Sequence, residues 1–126
     1  MDSNEILTMC LNKTGAYIDH PFGDGTIVVK VRKKIFAQLF TLREIPHATF
    51  NCSEVMGFTY RARFPGDVRR GYHCPPVQQP YFNTVDLTGG VPDEEIIDMV
   101  DHAYDWVVSK LPKYMQRELA EDAGLL

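Results

Sequence analysis

At 126 residues, with 44% hydrophobic and 24% charged residues, the chain has the make-up of one globular domain that buries roughly two-thirds of its unfolded surface without staples. The longest apolar runs, such as 26–29, are far too short to span a bilayer, and a net charge of −4 is unremarkable for a folded protein. Cys10, Cys52 and Cys74 are odd in number and lack Cys-x-x-Cys spacing, which argues for reduced, buried thiols and against a disulfide framework or a zinc knot.

In chain order, Asp2 is placed to cap a first helix with Glu5 reaching back, Ile6, Leu7, Cys10 and Leu11 share one face, and Gly15 ends it. Acids stand where a signal peptide needs positive charge, so a cytoplasmic protein is expected. Segments 26–31 and 35–42, rich in β-branched and aromatic residues, predict a hairpin. Its tip, Arg32-Lys33, lacks the Gly or Asn that two-residue turns favour for positive φ, so either the loop is longer or the turn is strained. Further strands are expected over 47–52, 69–74 and 82–87, with Ser53 capping a short helix that runs to about Phe64 before Pro65-Gly66 breaks it.

The longest helix has Pro92 in its first turn, Asp93, Glu94 and Glu95 at the positive end of its dipole, and Pro112 as its stop. At about 100° per residue, Ile96, Val100, Ala103, Tyr104, Val107 and Leu111 form one apolar stripe, with Trp106 at its margin. Residues 113–123 then read as a terminal helix closed by Gly124. The expected fold is α+β, a two-layer sandwich of an antiparallel β-sheet with N- and C-terminal helices packed on it, in a single domain over 1–126.

Charge is unevenly placed. Residues 30–70 hold nine cations (Lys30, Arg32, Lys33, Lys34, Arg43, Arg61, Arg63, Arg69, Arg70) against Glu44, Glu54 and Asp67, a balance of +6, whereas 86–126 carry −7. If Arg32, Lys33 and Lys34 form a hairpin tip and Arg69 and Arg70 enter a neighbouring strand, positive charge gathers at one end of the sheet and attracts phosphates. The competing reading is that basic residues at a sheet edge keep other molecules from pairing with it. Glu94, Asp98, Asp101 and Asp105 line one stripe of the long helix, either an acidic ridge for hard cations or simply its solvated side.

Catalytic and metal chemistry find little support. His20, His47, His73 and His102 lack the short helical spacing of metalloenzymes, His73 and Cys74 point to opposite faces of a strand, and Asp19 is beside His20 only in sequence. There is no Gly-x-Ser-x-Gly elbow and no Gly-rich phosphate loop followed by Lys, so no enzyme, cofactor or metal is expected. Tyr72, Tyr81 and Phe82 offer either base stacking or cross-strand packing.

Gly15-Ala16, Pro21-Phe22-Gly23, Lys34-Ile35-Phe36-Ala37, Pro65-Gly66, Gly71-Tyr72-His73, Asn83-Thr84-Val85, Val91-Pro92-Asp93-Glu94 and Lys110-Leu111-Pro112-Lys113 occur in one order at compatible spacing. In this the chain, over about 3–115, resembles the YjbR/MmcQ family. The resemblance implies a CyaY-like sandwich in a small bacterial cytosolic protein that binds DNA through a double wing of hairpins, with no catalytic residue. The chain departs from that pattern where the family carries a basic and aromatic stretch with a Trp: here 74–82 reads CPPVQQPYF, and Asn51 stands where a Lys is often found. The contact set that remains is Arg32, Lys33, Lys34, Arg69 and Arg70, for weak, salt-sensitive DNA binding. The alternative is a protein-partner or small-ligand module using a groove beside the Pro-rich loop and His73.

Overall fold

In the computed structural model, which describes residues 1–21, 23, 25–71 and 74–125, helix α1 (Ser3–Leu11) begins at a complete capping box. Asp2 accepts from the Glu5 backbone N–H at 2.8 Å, and Glu5 accepts from that of Asp2 at 3.2 Å. Among the described residues, strands β1 (Tyr17–Asp19), β2 (Ile27–Val31), β3 (Lys34–Leu42), β4 (Ile45–Asn51), β5 (Val68–Arg70) and β6 (Phe82–Asp86) form one antiparallel sheet in the order β1-β2-β3-β4-β6-β5. Helices α2 (Glu54–Arg63), α3 (Asp93–Ser109) and α4 (Lys113–Asp122) complete an α+β fold. The three-residue β1 and a 3-10 helix at Gln79–Tyr81 are too short to leave a periodic signal in the sequence.

The cross-strand register assigns the two faces. Leu39, Ala48, Val85 and Val68 stand in one row, and Ala37, Phe50, Asn83 and Arg70 in the next, so both rows face the helical layer. The register between β2 and β3 slips at Phe36: Val29 pairs with Ala37, but Lys30 pairs with Ile35. This extra residue is a β-bulge that lets Phe36 and Ala37 both enter the core, where Phe36 meets the edge of Tyr104 at 5.5 Å. It also brings Lys34 opposite the buried Val31, on the helical side of the sheet.

Helix α3 lays Ile96, Met99, Val100, Ala103 and Val107 against the sheet, with Leu111 beyond its end, as the stripe predicts. Beside it, α2 starts at Ser53, whose hydroxyl accepts from the Met56 N–H at 3.2 Å. Asn83 fastens α2 to β6. Its Oδ1 accepts from Arg61 Nη1 at 2.6 Å, and its Nδ2 donates to the Gly57 carbonyl at 3.1 Å. Gly57 is required there, since a Cβ would stand 2.8 Å from Cys52 Sγ and 3.0 Å from the Pro80 carbonyl oxygen. Strand β5 ends at Arg70, short of the strand predicted over 69–74, of which residues 72 and 73 lie outside the described residues; Gly71 follows it, where a Cβ would lie 2.7 Å from Phe82 Cβ and 2.8 Å from Cys74 Sγ.

Asn83 is 2% exposed, and truncating it removes the acceptor of the half-buried Arg61 guanidinium and the donor to the Gly57 carbonyl. Asn83→Ala is expected to cost about 2–4 kcal/mol, read as a fall in the denaturant midpoint at unchanged m-value. A cost under about 0.5 kcal/mol would show that the amide is not what holds α2.

Candidate nucleic-acid interface

The five cations singled out from the sequence do not form one patch. Arg32 and Lys33 make the two-residue turn between β2 and β3, and Lys34 opens β3, whereas Arg69 and Arg70 lie on β5 at the far edge. Three strand spacings, about 14 Å, separate β3 from β5. Arg32 is further compromised: its guanidinium stands 3.8 Å from both Glu118 and Asp122 of α4. The expected gathering of charge at one end of the sheet therefore gives way to two separate cationic regions.

The first region is a groove of ≈ 460 Å³ where the β2–β3 turn meets the end of α3. Lys33, Lys34 and Lys110 stand around Trp106, Phe82 and Asn51, over a floor that includes Val107 and Leu111, and among the described residues no carboxylate lines it. Among the described residues none of the three lysines has an ion-pair partner. The ammonium of Lys110 sits 4.2 Å from the centre of the Trp106 indole. From the preceding helical turn, His102 lies nearly parallel to that indole, at 6.3 Å and 17°. His102 Nε2 accepts the Ser53 backbone N–H at 3.0 Å, and burial holds its pKa below the usual imidazole value against a smaller upward pull from Asp105. Asn51 donates from Nδ2 to the Ile35 carbonyl at 3.4 Å, leaving its Oδ1 as an acceptor.

The α3 dipole opposes anions here, because its negative end points at the groove. Much of that end is already capped: Ser109 Oγ donates to the Trp106 carbonyl at 2.6 Å, and Gln116 Nε2 donates to those of Leu111 at 2.8 Å and Ser109 at 3.3 Å.

The second region is a concavity of ≈ 410 Å³ at the opposite end of the sheet, where Arg43, His47, Arg69 and Arg70 are mixed with Asp67 and Asp86. Both carboxylates are committed. Asp67 accepts from the Gly90 N–H at 3.0 Å. Asp86 is held below the usual carboxylate range by the Thr88 hydroxyl foremost, then by the Thr88 N–H, His47 and Arg69. Burial, followed by the nearby charge of Arg70, lowers the pKa of Arg61. This concavity compensates much of its own charge, so the groove is the stronger anion site.

The other residues named from sequence take structural roles. Asn83 clamps α2, and Thr84 shares a 2.8 Å hydroxyl contact with the buried Thr49. Asp19 accepts from the His20 backbone N–H and from Lys30 Nζ, so the Asp19-His20 contact is a turn feature. Glu94, Asp98 and Asp105 are exposed, and Asp101 pairs with Lys13. Among the described residues no three His, Cys, Asp or Glu converge on a metal position. Pro21 and Gly23 lie in the β1–β2 connection, with the Gly23 N–H bonded to the His20 carbonyl at 3.3 Å; Phe22, Tyr72 and His73 lie outside the described residues. The groove itself was hidden from pattern reading, although the four-residue steps from His102 to Trp106 to Lys110 already place those side chains in one row.

The family model described as YjbR matches residues 11–106. Two curated Escherichia coli proteins named Uncharacterized protein YjbR are each 26% identical over 121 residues, covering 96% of this chain and 99% of theirs. The crystal structure of a Deinococcus radiodurans protein carrying the DUF419 family-model domain superposes with a TM-score of 0.84 at 22% identity, covering 94% of this chain and 88% of that one. A Pseudomonas syringae protein gives 0.68 at 15% identity, covering 82% and 96%. These two structures show the same fold.

Two predictions follow from the turns and from His102. Arg32 and Lys33 have φ of 47° and 69°, and Arg43 and Glu44 in the β3–β4 turn have 51° and 69°, the left-handed region that Asn-Gly fills with less strain. Replacing either pair by Asn-Gly is expected to raise stability by about 1 kcal/mol. Only the change at Arg32-Lys33 should weaken polyanion binding, measured on the same samples. Because the folded-state pKa of His102 is depressed, the unfolded chain binds more protons. Stability credited to His102 is thus complete above the unfolded value near 6.5 and declines as pH falls below it. Denaturant midpoints measured from pH 8 to pH 5 should fall less steeply in His102→Gln than in the parent, and equal slopes would contradict the assignment.

Proposed function

The chain belongs to the YjbR family, and on that footing we propose that it is a nucleic-acid-binding module without catalytic activity, holding phosphates on Lys33, Lys34 and Lys110. One observation carries this reading: three lysines with no carboxylate partner among the described residues surround a single groove. A net charge of −4 does not oppose it, since at physiological salt the Debye length is about 8 Å and the groove is governed by its own neighbours. The absence of catalysis is supported by the thiols, since burial pushes Cys10 and Cys52 up to about 12 and leaves them protonated at neutral pH. His102, which a base or proton carrier would need free, is committed to the Ser53 N–H. Among the described residues no helix is long and apolar enough to cross a membrane.

Three phosphate contacts fix the size of the effect. Fluorescence anisotropy with labelled DNA should lose roughly 20- to 40-fold in affinity between 50 mM and 200 mM salt, the range set by single strands and duplex. Lys33→Glu combined with Lys34→Glu should lower the magnitude of the salt slope by about 2. Binding that ignores both salt and charge reversal would exclude the phosphate reading. It would shift attention to a protein partner, for which Val55 and Phe58, 73% and 67% exposed on α2, are the apolar contact.

A further inference from the structure

We infer that the groove takes an unpaired nucleobase onto the indole of Trp106, so that the nucleic acid recognised is single-stranded; this rests on the phosphate-binding reading above. Phosphate contact alone requires only a cationic surface. Here the cations ring an apolar floor containing Trp106 and Phe82, with Val107 and Leu111 beneath. A duplex, whose base faces are stacked inside, offers nothing to such a floor, whereas a single strand turns its bases outward while its phosphates follow the lysines.

The indole is supported on one side and loosely covered on another. His102 lies nearly parallel to it at 6.3 Å and is itself held by the Ser53 N–H at 3.0 Å, and burial lowers its pKa, which disfavours a charge beside a stacked base. The cover is the exposed Lys110, one helical turn onward, with its ammonium 4.2 Å from the ring centre. An exposed cation–π contact is worth about 2- to 5-fold in an equilibrium, whereas a base stacked on an aromatic side chain is worth roughly 5- to 150-fold. Exchange is therefore favoured: the base takes the ring, and Lys110 swings from indole to phosphate, gaining a stronger partner than it leaves. Asn51 completes the site, because its Oδ1 is left to accept an N–H from the edge of the base.

Trp106 is the sole tryptophan, so its emission reports on the site without a label. The unmodified protein is titrated at low salt with a short single-stranded oligodeoxynucleotide, the abasic deoxyribose-phosphate oligomer of equal length, and the corresponding duplex. The single strand is expected to quench Trp106 and to bind about tenfold tighter than the abasic oligomer. In anisotropy, Trp106→Ala should bring single-strand affinity down to the abasic level and leave abasic affinity where it was. Since Trp106 is half-buried and the variant risks a folding defect, the parent protein's comparison of single-stranded with abasic oligomer decides the matter by itself. Equal affinity for all three ligands with unquenched emission overturns base insertion while leaving phosphate binding in place. Failure of all three to bind at low salt overturns the phosphate reading and this inference together.

Discussion

The packing of α3 against the sheet is the constraint on which the rest of the molecule depends. Once Ile96, Met99, Val100, Ala103 and Val107 are buried, the rotation of the helix is fixed, and with it the direction of every other side chain it carries. Burying such a set is worth on the order of 10 kcal/mol of transfer free energy before entropy is counted, far more than any charge on the helix surface. Trp106 and Lys110 emerge where they do because Ala103, Val107 and Leu111 claim the core. The carboxylates Glu94, Asp98 and Asp105 are exposed for the same reason. Electrostatic segregation in this protein is thus a by-product of a hydrophobic decision.

What local chemistry writes, the sequence discloses. The capping box at Asp2 and Glu5, the Ser53 cap and the α3 stripe involve residues three or four apart, so they are readable without knowing the fold. The family resemblance is likewise legible, and the match over 11–106 confirms it. The bulge at Phe36 is different. Nothing between Lys34 and Leu39 announces an extra residue, because the bulge exists only relative to β2, yet it determines which face Lys34 occupies. Asn83 was legible only as a motif position, and its work as a clamp depends on Arg61 and Gly57, more than twenty residues away.

Charge shows the same limit most clearly. The +6 of residues 30–70 suggests a single basic surface, but folding distributes partners along that segment: Lys30 meets Asp19, Arg32 faces Glu118 and Asp122, and Arg63 pairs with Glu95. Arg61 spends its guanidinium on Asn83. The cations left over are split between two ends of the sheet, and among the described residues only the end without lining carboxylates presents an uncompensated field. A count along the chain is a poor proxy for a potential in space, because each ion pair is made by residues from distant elements.

Strain in the hairpin turns, taken alone, does not identify the functional end either. Both two-residue turns force charged residues into left-handed backbone, and the β3–β4 turn, with Arg43 and Glu44, carries as much of it as Arg32 and Lys33. Charged turn residues blunt the tips of a long hairpin against association, a role that both turns fill. What distinguishes them is the neighbourhood: Arg43 opens onto a concavity whose arginines already have Asp67 and Asp86 among them, while Lys33 opens onto indole, amide and a third lysine. Strain that a general solubility role would explain at both turns becomes informative only at the turn where a cation unpaired among the described residues stands beside an aromatic surface, and there the same backbone that costs stability holds Lys33 over the groove.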